Sequence, residues 1–285
     1  DENSALNMKG TKPTKMVLDI NEKMETSLKA WLNGYCVVKD YGNETVTIDE
    51  SKKTESECVT GGSTPQPSKK YENGEAVYFN PETNTKCSAS EYKPENSLNE
   101  NKSGCMKWYA FNDTEDSNTV KVILDHNTTY KVAWNSSGNN ADGMKEVKEA
   151  LDNDVNNWNE DVKKTARVIE ANEIAKITGN TEFDATVLGK DNYFYLENNG
   201  QDEPSLSEGQ AKYKWLFDYT DSCTSYGCSI ADDSTKGYWT STLSVTLSLD
   251  AWIVYHDGSL GYYRVGREDG CGVRPVISIS KSILS

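Results

Sequence analysis

Histidine is nearly missing from this chain: only His126 and His256 occur in 285 residues. No two cysteines stand as Cys-x-x-Cys, and no His-Glu-x-x-His is present. Zinc sites of the common spacings therefore have no ligand set here, and no metal or other cofactor is expected. Neither a Gly-x-Ser-x-Gly elbow nor a phosphate-binding glycine loop appears, so no catalytic constellation is visible. No apolar run reaches the 18 residues that a bilayer-spanning helix needs. Positive charge is scarce too: 30 Lys and Arg face 45 Asp and Glu, for a net charge of −15. That field repels phosphate backbones and anionic lipid, which argues against nucleic acid as a partner.

Aromatics are plentiful by contrast. Mean hydropathy is −0.74, polar for a folded chain. Yet 7 Trp and 16 Tyr supply the material of a packed core and argue against disorder. The length accommodates one large domain or two small ones. Seven cysteines fall into sequence-local pairs, Cys36 with Cys58, Cys87 with Cys105 and Cys223 with Cys228, leaving Cys271 over. Three local disulfides imply an oxidising setting, extracellular or at the cell surface.

Residues 14–32 place Val17, Ile20, Met24, Leu28 and Trp31 at helical spacing, and Asn33-Gly34 reads as the stop. "GYCVVKDY" and "ETVTIDE" alternate like strands. These elements define an N-terminal region, 1–59. A linker, 60–70, follows, made of Gly, Ser, Thr, Pro, Gln and Lys without apolar residues. The region suits a stalk or the remnant of a pilin-like subunit, anchored to a membrane or pilus through a further N-terminal segment.

From residue 71 the pattern is mixed α and β. Strands are expected in "KWYAFND", "TVKVILDH", "TYKVAWN", "NYFYLEN", "GYWTSTL", "AWIVYH", "SLGYYRV" and "VRPVISIS". Met144, Val147, Leu151 and Val155 form one helical stripe. Ile174 and Ile177 with a Gly179 stop mark a second helix.

Three stretches carry a resemblance. "ARVIEANEIAKITG" resembles the signature helix of C-type lectin domains of the formylglycine-generating-enzyme type. "GYWTST" is similar to their Trp strand, and "GVRPVIS" to their terminal Gly-x-Arg strand. The three occur in the family's order and cover roughly residues 166–281. The resemblance implies an α+β, C-type lectin-like fold, with short antiparallel sheets and two helices, over residues 71–285. Enzymatic members of that group bind copper and carry an Arg-Gly-Gly-Ser-type motif that is missing here, so their chemistry is not carried over. Binding members include the variable proteins of diversity-generating retroelements and similar surface or pilin-like proteins of gut bacteria. In those proteins the stretch between the Trp strand and the Gly-x-Arg strand displays the ligand-contacting residues. The matching tract here is 242–271.

The resemblance thus implies a binding protein that recognises a protein or glycan on another cell, a phage or a host. The rival expectations are a structural pilin-like or adhesin subunit and an oxidase on the same fold. The residues expected to contact ligand are Thr242, Leu243, Ser244, Thr246, Ser248, Asp250, Ile253, Tyr255, His256, Leu260, Tyr262, Tyr263, Arg264, Arg267, Glu268 and Asp269.

The hairpin inside this tract can be read face by face. With a two-residue turn at Asp257-Gly258, Tyr255 faces Leu260, Ile253 faces Tyr262 and Ala251 faces Arg264. Trp252, Val254 and Val265 then form the core side. Ile253, Tyr255, Leu260, Tyr262 and Arg264 point outward as an interface-like set rich in Tyr and Arg. The segment "GREDGC" becomes a loop on the same rim, with Cys271 as one more displayed residue. Arg274, in an apolar strand, is expected to be buried against backbone carbonyls or a carboxylate such as Glu170 or Glu173. His126 reads as a loop residue and "FNDTEDSN", 111–118, as a solvated acidic turn.

Overall fold

A computed structural model describes residues 27–32, 34–40, 45–51, 53, 58, 69–92, 102–115, 117–129, 131–206, 210–217 and 235–284. Its contacts divide the chain into two units, Asp1–Pro67 and Ser68–Ser285.

In the first unit, β1 (Ser27–Leu32), β2 (Tyr35–Asp40) and β3 (Thr45–Asp49) pair antiparallel in that order. This corrects the end of the expected helix: residues 27–32 are extended, and residues 14–26 lie outside the described residues. Leu32 pairs with Tyr35, so β1 and β2 form a hairpin, with Gly34 at φ +83°. Asn-Gly is the strongest two-residue hairpin signal, and it outweighs an apolar spacing that serves either period over six residues. Cys36 is bonded to Cys58, and both are buried.

The second unit is α+β. Its strands are β4 (Ala76–Asn80), β5 (Thr85–Lys86), β6 (Met106–Phe111), β7 (Thr119–Leu124), β8 (Phe194–Tyr195), β9 (Gly237–Leu243), β10 (Asp250–Tyr255), β11 (Ser259–Arg264), β12 (Cys271–Gly272) and β13 (Val276–Ser280). One sheet runs β13-β7-β6-β4-β5, antiparallel throughout. The other runs β12-β9-β10-β11-β8, antiparallel except for β12 against β9. Helix α1 (Lys145–Asp154) buries Val147 and Leu151, the stripe legible in the sequence. The single-turn helix α2 (Glu160–Lys163) follows. Helix α3 (Ala171–Thr178) buries Ile174 and Ile177 and ends at Gly179 in the left-handed region, φ +73°. A last turn, α4 (Lys281–Leu284), closes the chain. In place of the strand expected at 129–135, the described residues 129 and 131–135 are irregular chain, with a β-bridge at Thr129–Val273. Cys87 is bonded to Cys105. Cys223 and Cys228 lie outside the described residues.

The hairpin β10–β11 sits between two apolar clusters. Ala251, Ile253 and Val265 pack with Trp108, Trp134 and Trp239 on one side. Trp252, Val254 and Leu260 pack with Phe183, Phe194 and Ile174 on the other. Both faces are therefore covered, which is why nearly every residue of the strands is apolar. The expected register is also corrected by one residue. Trp252 pairs with Tyr262, Ala251 with Tyr263 and Val254 with Leu260, which centres the turn on Asp257. Asp257 Oδ1 accepts from Ser259 N at 2.9 Å and Ser259 Oγ at 2.6 Å, and Gly258 takes φ +82°. An Asx turn followed by a left-handed glycine builds the three-residue loop that sets this register. A slip of one residue exchanges faces. Tyr262 therefore packs at a tilt against Trp252, 4.6 Å between centroids, while Tyr263 lies against Trp239 at 6.1 Å.

Candidate functional surface

The tract 242–271 divides into scaffold and exposed residues. Ile253 and Leu260 are fully buried and Ser244 is 2% exposed, so these three do not reach solvent as expected. Ile253 was assigned outward under a one-sided hairpin, whereas the sheet is covered on both sides. Cys271 is corrected in the same way. It is a fully buried member of the first apolar cluster, on β12 beside Gly237 of β9, and not a rim residue. Burial pushes its thiol well above the ordinary cysteine range.

Thr242, Tyr255, Tyr262 and Tyr263 are half-buried. Thr242 Oγ1 accepts from Ala171 N at 3.0 Å, which caps the first turn of α3. Tyr255 donates its hydroxyl to the Tyr262 carbonyl at 2.8 Å. Burial raises the phenol pKa of all three tyrosines.

Leu243, Thr246, Ser248, His256, Arg264, Arg267, Glu268 and Asp269 are exposed, and Asp250 is half-exposed. They occupy separate places. His256 lies at the hairpin turn. Arg267, Glu268 and Asp269 lie on the segment that returns to Gly270, whose carbonyl accepts from Lys236 N, and the remaining residues gather at the opposite end, six residues away along β10, roughly 20 Å at strand rise. There Arg264 and Asp250 stand opposite each other, with Nε to Oδ1 at 3.8 Å. Desolvation raises the Asp250 carboxyl pKa. Arg267 forks onto Asp269, its Nε donating to Oδ1 at 2.9 Å. That hydrogen bond holds the Asp269 carboxyl below its ordinary value. Arg267 thus commits two of its five N–H donors to Asp269 within the loop.

The loop 243–249, "LSVTLSL", is the most unusual part of this end. It has no charged residue, in a chain that is 26% charged. Its alternation reads as a strand, but it leaves the sheet after Leu243. Leu243, Val245, Leu247 and Leu249 all face solvent, each 38–43% exposed. The Ser244 side chain, the Thr246 hydroxyl and several backbone carbonyls are bonded inward, while Ser248 is exposed. Asn140, 5% exposed, donates its side-chain amide to Ser244 O at 2.9 Å, Leu247 O at 3.0 Å and Asp250 O at 2.8 Å. Its backbone N–H donates to Ser248 O at 2.9 Å. Thr246 donates its hydroxyl to the buried Asp191. An ordinary loop points its polar groups to water and folds its aliphatics under. This one is held the other way by two buried polar side chains.

Neither Asn140 nor Asp191 was legible as part of this surface. Both sit in polar segments, "SSGNNADG" and "LGKDNY", far from the tract in sequence. The signal that was available is the uncharged alternating run itself.

Two polar residues read as loop positions, His126 and Asp113, lie in the interior, and Arg274 is buried as expected. His126 is fully buried, its Nδ1 2.6 Å from Asp125 Oδ1, while Tyr92 donates to Asp125 Oδ2 at 2.6 Å. Asp113, in the stretch read as a solvated turn, is buried and pairs with Lys281 Nζ at 2.8 Å. Arg274 is fully buried. It donates to Leu216 O at 3.1 Å and to Trp215 O and Asn127 Oδ1 at 3.4 Å, and lies 4.7 Å from the Tyr238 ring centroid. Glu173, one carboxylate proposed for Arg274, is instead held by Arg167 and Lys121.

Comparison with family models, curated proteins and solved structures finds no match to this chain. Among the described residues no helix is long and apolar enough to cross a membrane.

Proposed function

We propose that the chain is an extracellular or surface-displayed ligand-binding protein, with a C-type lectin-like domain that presents ligand contacts from the exposed part of 242–271. The observation that carries this is the loop 243–249, whose four aliphatic side chains are held in water from beneath. Contiguous exposed apolar surface on an otherwise polar protein marks an interaction site. A surface fixed before the partner arrives loses little entropy on binding. The residues assigned to contact are Leu243, Val245, Leu247 and Leu249, with Ser248, Arg264, Arg267 and Glu268 beside them. Ile253, Leu260 and Ser244 are scaffold. The aliphatic character favours a protein ligand over a glycan. Two disulfides are compatible with the extracellular setting.

The test is a selection of binding peptides from a random displayed library on the full chain. Selected peptides are then remeasured against the variant with Leu243, Val245 and Leu247 all changed to Ser. Recognition through this loop predicts that most selected peptides lose binding. A set that binds the variant unchanged refutes it. If the tract is retroelement-diversified, a reverse transcriptase and a near-copy of the gene's 3′ end, differing at adenines, will lie beside the gene. Variable codons should then fall on the exposed positions and spare Ile253, Leu260 and Cys271.

A further inference from the structure

We infer that the docking surface has two segments: Val245, Leu247 and Leu249 from the loop after β9, and Val187, Leu188 and Tyr193 from the chain before β8. Its partner is a protein whose contact face is apolar and rimmed by basic side chains. This rests on the binding function proposed above and extends it past residues 242–271.

One buried carboxylate joins the two segments. Asp191 accepts from Thr246 Oγ1 through Oδ2 and from Gly189 N at 3.3 Å through Oδ1. It thus ties the loop 243–249 to the turn that carries Val187 and Leu188. Leu188 is 73% exposed, the most of any large apolar side chain among the described residues, and Val187 and Tyr193 are 42% and 41% exposed. The turn is itself closed, because Val187 N donates to Asp184 O at 3.1 Å and Lys190 N to Val187 O at 3.0 Å. Neither segment can fold its aliphatics under without breaking a hydrogen bond to the buried Asp191 or Asn140 side chain, and a buried polar group is costly to leave unpaired. The exposed apolar groups are therefore a fixed feature of the fold.

Charge identifies the occupant. The loop 242–249 has no charge, but residues 181–206 carry the exposed Glu182, Asp202 and Glu203 and the half-exposed Asp184 and Glu197 against Lys190 alone. A second copy would bring the same acidic rim against itself, on a chain of net charge −15. Like-charge juxtaposition across an interface is costly, and opposite charge speeds encounter. A basic-rimmed protein face satisfies both the apolar centre and the acidic border.

The probe is a synthetic amphipathic peptide alternating Leu and Lys, titrated calorimetrically into the full chain. Leu/Glu and Ser/Lys peptides serve as controls. Wild type should bind the Leu/Lys peptide. Leu188→Ser and Leu247→Ser should each weaken binding roughly tenfold, the effect of one aliphatic side chain no longer buried. Unchanged melting of both variants establishes that they fold. Loss with Leu247→Ser alone overturns the two-segment surface but leaves the loop as a binding site. Binding unaffected by either substitution overturns both. Equal binding of the Leu/Glu peptide overturns the basic rim, and equal binding of the Ser/Lys peptide overturns the apolar contact. A dimer in sedimentation that Leu247→Ser dissolves overturns the basic-rimmed partner in favour of a second copy.

Discussion

Removing the amide of Asn140 should release the loop without unfolding the unit. The side chain supplies two N–H hydrogens to three carbonyls, those of Ser244, Leu247 and Asp250. Asn140→Ala leaves these acceptors without their donor. An unsatisfied buried group costs about 1–3 kcal/mol, and the Leu247 and Asp250 carbonyls are only part-buried and can turn to water. The estimate is about 2 kcal/mol, or roughly 4–8 °C in melting temperature for a unit of this size. Asn140→Asp is the sharper perturbation. It keeps the shape but points a carboxylate at three carbonyl oxygens, so it should cost more than Ala at neutral pH. The penalty belongs to the ionised form. The fold therefore raises the pKa of the new carboxyl, and the variant should regain stability as pH falls and the group protonates. The assays are thermal unfolding from pH 4 to 8 and amide exchange. Amides within 244–250 should exchange faster in both variants, while those of β6 and β7 stay protected. If Asn140→Asp is as stable as Asn140→Ala at neutral pH, or if exchange in 244–250 does not change, the amide is not what holds this loop.

Three other outcomes follow from the packing. Arg274→Met should destabilise the unit by roughly 3 kcal/mol in denaturant titration, since the Leu216 and Trp215 carbonyls and the Asn127 amide oxygen lose their buried donor; an intact fold that has lost only ligand binding would contradict a structural role. Gly237→Ala should prevent a native fold, because an added Cβ would stand 1.8 Å from Val254 O where β9 meets β10; a soluble variant with native melting would show that the backbone can give way. Alkaline stability should fall as pH climbs above the ordinary tyrosine value of 10.0, because burial raises the phenols of Tyr238 and Tyr255. Their contribution is complete below that value and is lost above it, and denaturation midpoints between pH 9 and 11 will detect the loss.

Local features were legible and long-range ones were not. The α1 stripe, the Gly179 stop and the pairs Cys36–Cys58 and Cys87–Cys105 depend on near neighbours, and periodicity or spacing reports those directly. Hairpin β10–β11 was legible as a hairpin, but its register turned on whether Asp257 would hold Ser259, two hydrogen bonds that decide between turns of similar chemistry. The burial of Ile253 was not legible at all. Alternation tells which side chains share a face, but only the elements packed above and below tell whether that face meets water. The same holds for Asp113 and His126. An acidic loop and a strand-end histidine look solvated until Lys281, from the far end of the unit, or Tyr92 arrives beside them.

The sequence by itself determined the class of chain: acidic, aromatic-rich, mixed α and β, with local disulfides. Composition, spacing and period are properties of neighbours along the chain, and they settle such matters before any tertiary contact forms. Tertiary structure decided which residues of 242–271 face out. It buried both sides of the hairpin, drew Cys271 into the core and used Asn140 and Asp191 to turn the loop 243–249 with its aliphatics toward water. Those outcomes depend on groups brought together from distant parts of the chain, and no local pattern encodes them.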